Sequence, residues 1–244
     1  MKKIIALCKR NFIETLRDPL SLIFCLIFPI VMLVVMSVII KNTADIPNNF
    51  IIQNYSVGIC VFGFTFTSMM IAMSIASDKN TSFIKRLIIS PTTNFQYYFS
   101  YVLTGMITAF IQTLLFFAVS LIFGMNISGK LLIAIGYLFF SALFYITLGI
   151  LIGIICKNEK QTGPVSSIIV SLVGIIGGIF MPVSIFTGVL KSIVNILPFT
   201  HTVLISSDVF ILGAKSIYPH VVYIISYTFF LWIIIFITLK IKKR

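Results

Sequence analysis

The sequence predicts an all-α polytopic membrane protein with six transmembrane helices, and three observations lead there. Hydrophobic residues make up 59% of the 244 positions and charged residues 10%, against about 45–50% and about 25% in soluble domains, so a water-soluble fold has no means of hiding this much apolar surface. The apolar residues gather in charge-free runs of the roughly 20 residues that a helix needs to cross a hydrocarbon core of about 30 Å. Basic residues gather in every second connection between those runs.

The runs extend from Leu20 to Ile40, Tyr55 to Ser77, Tyr97 to Phe123, Leu131 to Cys156, Gly163 to Pro182 and Pro219 to Leu239. Each is read as a helix, because a lone strand in lipid leaves its backbone unpaired and barrel strands are shorter and alternate. Fourteen of the eighteen Lys and Arg lie in residues 1–19, 78–96, 157–162 and 240–244, whereas the other connections hold only Lys41, Lys130, Lys191 and Lys215. The positive-inside rule then puts both termini in the cytoplasm and requires an even number of spans. The same bias accounts for the net charge of +12 without a nucleic-acid partner. Residues 1–244 read as one membrane domain with the lipid bilayer as its first partner.

Three segments stand out between the spans. Residues 2–17 place Ile5, Cys8, Phe12 and Leu16 three or four apart, with Lys9, Arg10, Glu14 and Arg17 largely on other faces, which is the pattern of a helix lying in the interface. Glu14 can pair with Arg10 and Arg17, and Asp18-Pro19 stops the helix so that the chain can turn into the first span. Residues 78–96 carry a charged start, an apolar Phe83–Leu87 pair beside Lys85 and Arg86, and a Ser90-Pro91 break, the order expected of a short helix pressed against a cytosolic protein. The stretch from Val183 to Ile217 is apolar only in patches, broken by Pro198 and by Lys191, Asn195, His201 and Asp208, so it reads as short re-entrant helices on the outer side. Gly177, Gly178 and Pro182 turn the chain out of the fifth span, and Pro219 opens the sixth at no cost in hydrogen bonds.

Catalysis is not expected. The six acidic residues fall in connections or at span edges, which argues against a proton-coupled carrier. His201 and His220 lie 19 positions apart without carboxylates at ligand spacing, and Cys8, Cys25, Cys60 and Cys156 lack paired spacing, so no metal site or disulfide framework is read. Gly124 to Lys130 imitates a phosphate-binding loop, but Leu131 stands where the magnesium-binding hydroxyl belongs and no strand precedes it. Lys2 and Lys3 are followed by too short an apolar run for a signal peptide.

The chain resembles the type-2 ABC exporter permeases. The likeness rests on Lys9 to Leu20 (KRNFIETLRDPL) running into a span with Phe28-Pro29, on Lys85 to Pro91 (KRLIISP) after the second span, and on Gly177 to Pro182 (GGIFMP) followed by Leu197 to Thr200 (LPFT). Many relatives have Glu and Gly where this chain has Asp78 and Thr81-Ser82. The resemblance implies an elbow helix within 1–19, spans one to five within 20–182 with a coupling segment at 78–96, an outer re-entrant segment at 183–217, and a sixth span with a basic tail at 218–244. It also implies a multi-pass protein of the plasma membrane that moves an amphipathic or lipophilic cargo, such as a peptide, antibiotic or lipid, out of the cell. Power would come from separate ABC ATPase subunits that hold the ATP and magnesium, this chain having no cofactor of its own, and a second permease subunit, identical or a sister, would complete the dimer. On this reading Arg10, Glu14, Arg17, Asp18, Lys85 and Arg86 form the ATPase-coupling surface, and Gly177, Gly178, Pro182 and Pro198 shape the re-entrant turn. The competing reading is an ATP-independent carrier or channel. Heavy use of Ile and Lys suggests a bacterial source.

Overall fold

The computed structural model describes residues 2–42, 51–181, 183–211 and 218–242; Pro182, Lys215, Lys243 and Arg244 lie outside them. Among the described residues the regular structure is entirely helical: α1 (Lys2–Arg17), α2 (Pro19–Leu22), a π turn (Ile23–Ile27), α3 (Phe28–Lys41), α4 (Ile52–Asn80), α5 (Ser82–Ile89), α6 (Asn94–Ile122), α7 (Gly129–Ile155), α8 (Glu159–Ile176), a 3-10 turn (Val183–Ile185), α9 (Gly188–Ile196), α10 (Pro198–Ile211) and α11 (Tyr218–Lys242).

Five stretches are long and apolar enough to cross a membrane: Pro19–Lys41, Ile52–Asn80, Asn94–Ile122, Gly129–Ile155 and Tyr218–Ile241. The pair α9 and α10, bent by 67°, brings the number to six if it is taken as one broken span. The expected fifth span falls on α8, whose 18 residues measure about 27 Å at 1.5 Å per residue. Its first turn holds Glu159, Lys160, Gln161 and Thr162, and it ends at Gly177 rather than at Pro182, so it is shorter in apolar length than the sequence suggested.

Local chemistry explains the breaks. Asp18 caps α2 by accepting from the Leu20 N–H at 3.1 Å, and Pro19 occupies the first turn, where its missing N–H costs nothing. Pro29 cannot donate to the carbonyl of Cys25, four residues back, and the π turn forms at this point. The Cys25 carbonyl is met by Gln112 Nε2 of α6 at 2.7 Å, and Gln112 Oε1 accepts from Thr67 of α4 at 3.1 Å. A proline inside a span is tolerated because a neighbouring helix supplies the lost donor. At the start of α6, Thr93 and Gln96 form a reciprocal capping box.

Helix α4 is the centre of the bundle, packed by α3, α6, α7, α8 and α10. Its closest approach is to α7, where Gly149 and Gly153 face Ser68, Ala72 and Ile75. A Cβ on Gly153 would lie 2.9 Å from the Ala72 carbonyl, and one on Gly149 would collide with the Ser68 carbonyl. Small residues four apart let two backbones meet, and in lipid that van der Waals contact is a main source of helix association. Gly149→Ala should therefore destabilise the fold by about 1–3 kcal/mol, the usual cost of overpacking, while Gly136→Ala on the same helix, with open space around it, should be neutral or slightly stabilising. Thermal unfolding of both variants in detergent checks the contrast.

Candidate functional site

At the α1 end of the bundle, side chains from α1 and α6 converge on one buried carboxylate. Asp78 lies in the last turns of α4 and is 3% exposed. Arg10 of α1 grips it with two parallel bonds, Nη2 to Oδ1 at 2.7 Å and Nη1 to Oδ2 at 3.0 Å. The hydroxyls of Tyr97 and Tyr101, one turn apart on α6, both donate to Oδ2 at 2.7 Å. Arg10 also holds Glu14 at 2.7 Å, and its guanidinium lies 3.8 Å above the centroid of the Phe83 ring on α5. Burial alone would loosen the Arg10 proton, but bonding to Asp78 outweighs it and the guanidinium is held charged beyond its ordinary range.

This ring of contacts joins four elements. Helix α1 lies along the start of α6, where Asn11 Nδ2 donates to Ser100 Oγ at 3.1 Å and Thr104 Oγ1 to the Cys8 carbonyl at 3.3 Å. The stripe of α1 that faces the bundle is Cys8, Asn11 and Thr15, while Ile5 and Leu16 remain exposed. The inward stripe is small and mostly polar, and Ile5 and Leu16 face outward among the exposed charges Lys2, Lys9 and Arg17, as suits a helix lying in the interface. Lys3 Nζ reaches the Pro91 carbonyl at 2.7 Å, which fastens the start of α1 to the connection behind α5. The next residue of α4, Lys79, turns the other way and donates to the carbonyls of Ile154 at 2.7 Å, Cys156 at 2.8 Å and Gly153, neutralising the negative end of α7.

Of the residues singled out in the sequence, Arg10 and Glu14 belong to this ring. Arg17 is exposed at the end of α1, and Asp18 is spent on capping α2. Lys85 and Arg86 both lie on α5, with Arg86 exposed. Gly177 caps α8, Gly178 takes φ 82° in the turn that follows, and Pro198 opens α10; Pro182 lies outside the described residues. Thr200, in the LPFT segment, reaches the carbonyls of Ile176 at 3.1 Å and Val194 at 3.0 Å, tying the ends of α8 and α9 together. Sequence reasoning missed Asp78, Tyr97, Tyr101 and Phe83 as one unit. The available signal was Asp78 itself, an acid beside a long apolar run, with two tyrosines four apart opening the next.

An open cleft of about 220 Å³ lies beside the ring, between α1, α2, α4 and α8. Glu14, Asp18, Asp78 and Glu159 line it, four of the six acidic residues in a chain of net charge +12, together with Met70 and Met73.

A family model described as ABC-2 type transporter matches residues 2–211. No curated protein and no solved structure matches the chain.

Removing one partner of a buried ion pair leaves the other uncompensated, at about 3–5 kcal/mol when both are fully buried. The Arg10 side chain is 28% exposed, so Arg10→Ala should cost less, about 2 kcal/mol, and release α1 from α4. Amide hydrogen exchange should show α1 losing protection in Arg10→Ala and in Asp78→Asn, and the double variant should be little worse than either alone.

Proposed function

The chain belongs to the ABC-2 type transporter family, and from that premise we propose that it is the permease subunit of an ATP-driven exporter. Separate ABC ATPase subunits dock against α1 and α5, carry the ATP and magnesium, and drive the pair of permeases. The cargo is amphipathic or lipophilic, a peptide, an antibiotic or a lipid, and it leaves the cell across the plasma membrane. Both termini face the cytoplasm, as the distribution of Lys and Arg argues. A second permease subunit, identical or a sister chain, completes the pathway.

The observation that carries this reading is the Arg10–Asp78 ring. A docking partner needs a rigid lever, and an ion pair with bidentate geometry is more rigid than a loop contact. Because Arg10 lies on Phe83 and also grips Asp78, the elbow and the short helix α5 both bear on the end of α4. Helix α4 in turn touches most of the bundle and is locked to α7 at Gly149 and Gly153. A push on α1 or α5 is therefore delivered to the centre of the molecule, and rigid-body motion of one permease against the other follows. Arg17 and Arg86 lie outside the ring and, with Lys85 of α5, are the charges that meet the ATPase, whereas Arg10, Glu14 and Asp18 hold the lever in shape.

Inverted vesicles containing the permease and its ATPase test this. Replacing Lys85 and Arg86 with Glu should lower ATP-dependent cargo uptake by roughly tenfold or more, the factor that about 1.4 kcal/mol of lost coupling makes, with the amount of inserted protein unchanged. Undiminished uptake in the variant removes α5 from the coupling path, and uptake that needs no nucleotide at all favours an autonomous carrier.

A further inference from the structure

At the end of the bundle opposite α1, the two histidines of the chain meet each other and an aspartate. His201 Nδ1 of α10 and His220 Nδ1 of α11 are 2.7 Å apart. The far nitrogen of each ring already faces an acceptor: His201 Nε2 lies 2.8 Å from the Asn195 carbonyl, and His220 Nε2 lies 3.2 Å from Asp208 Oδ2. A carbonyl or a carboxylate can only accept, so both Nε2 atoms carry hydrogen. Two neutral imidazoles would then confront each other with bare lone pairs at the Nδ1 contact. Three hydrogen bonds need three protons, and two neutral rings bring only two.

We propose that His201, His220 and Asp208 form a proton-binding site, holding one proton beyond those of two neutral imidazoles and an ionised carboxylate, and that this proton latches α10 to the start of α11. The carboxylate is the stronger acid, so the charge sits on the imidazole beside it, His220, balanced by Asp208. The Tyr223 ring stacks on His201 at 4.3 Å and 3°, presenting a π face to the pair. A metal ion does not fit as well: nitrogens that share zinc each stand about 2.0–2.1 Å from it, which puts them more than 3 Å apart in a tetrahedral site. Among the described residues no group of three His, Cys, Asp or Glu side chains, this one included, is placed to hold a metal ion.

Among the described residues, the charged and titratable groups of the elements packed on α10 are engaged elsewhere or lie away from the pair. Helix α10 packs on α4, α7, α8, α9 and α11. On α7, Lys130 donates to the Phe210 carbonyl and Tyr145 pairs with Thr202. Tyr55 of α4 reaches the Met32 carbonyl, Tyr227 of α11 donates to the Ile196 carbonyl, Lys191 of α9 is exposed, and the charges of α8, Glu159 and Lys160, sit at its other end.

The full chain, purified with a histidine-free tag and labelled with 15N-histidine in lipid nanodiscs, gives signals from only these two rings. Three of the four ring nitrogens should stay protonated across the interval in which free imidazole titrates, about pH 5.5 to 7.5, and Asp208→Asn should lower that to two. Amide exchange in the first turns of α10 should also rise roughly tenfold in Asp208→Asn, the effect of one lost hydrogen bond. A smooth fall from nearly four to nearly two over the same interval overturns the proposal. So does a stoichiometric shift of both rings on adding zinc, which would assign the site to a metal.

Discussion

An ionised carboxylate at the end of an enclosed helix is the arrangement on which the α1 end of this protein depends. Asp78 sits in the last turns of α4, where the helix carries its own partial negative charge, and burial has taken away the water that would otherwise offset both. The charge persists because Arg10, Tyr97 and Tyr101 fill the space around it with donors. Those donors arrive from two elements: the elbow supplies one and the opening turns of α6 supply two. The position of α1, the angle at which α6 enters and the seat of α5 under Arg10 all answer to the need to satisfy one side chain.

The same rule, that polar groups away from water must be met from within, is solved differently deeper in the bundle. Pro29 frees the Cys25 carbonyl, and Gln112 crosses from α6 to take it. Along α6 itself the hydroxyls of Thr108, Thr113 and Ser120 each return to the carbonyl four residues back. Where α7 ends, its orphan carbonyls are met by Lys79 rather than by a glycine cap. With the hydrophobic effect silent between helices in lipid, these bonds and the Gly149–Gly153 contact specify which helix lies against which.

How much of this the sequence discloses depends on the scale of the signal. Runs of 20 apolar residues are unmistakable, and five of the six expected spans correspond to helices of crossing length. The fifth extends beyond the helix observed because apolar content continues past Gly177 while the helix does not: Gly178 takes a left-handed conformation and Phe180 folds back to the Gly174 carbonyl. The elbow was found from its period, yet its inward face could not be chosen from the period alone, since lipid reverses the usual rule about which face is buried. Arg10 and Glu14 were picked out for their charge. Asp78 was seen as the opening of a loop, because nothing local announces that its partners lie 68 residues earlier and 19 and 23 residues later. His201 and His220 were set aside for want of a carboxylate at ligand spacing; Asp208 meets His220 only because α10 and α11 pack together.

The wide separation of those partners bears on how the molecule is assembled. A chain made from its N-terminus releases α1 first, yet the seat of Arg10 does not exist until α4 has emerged, and Tyr101 follows only after α5 and the turn into α6. Until then the elbow can rest on the membrane surface by its apolar stripe but cannot dock. Closure of the ring therefore marks the moment at which the first two spans and the third are correctly threaded, and a chain in which one of the first two spans failed to insert would leave Arg10 and Asp78 on opposite faces of the bilayer, each charge unpaired.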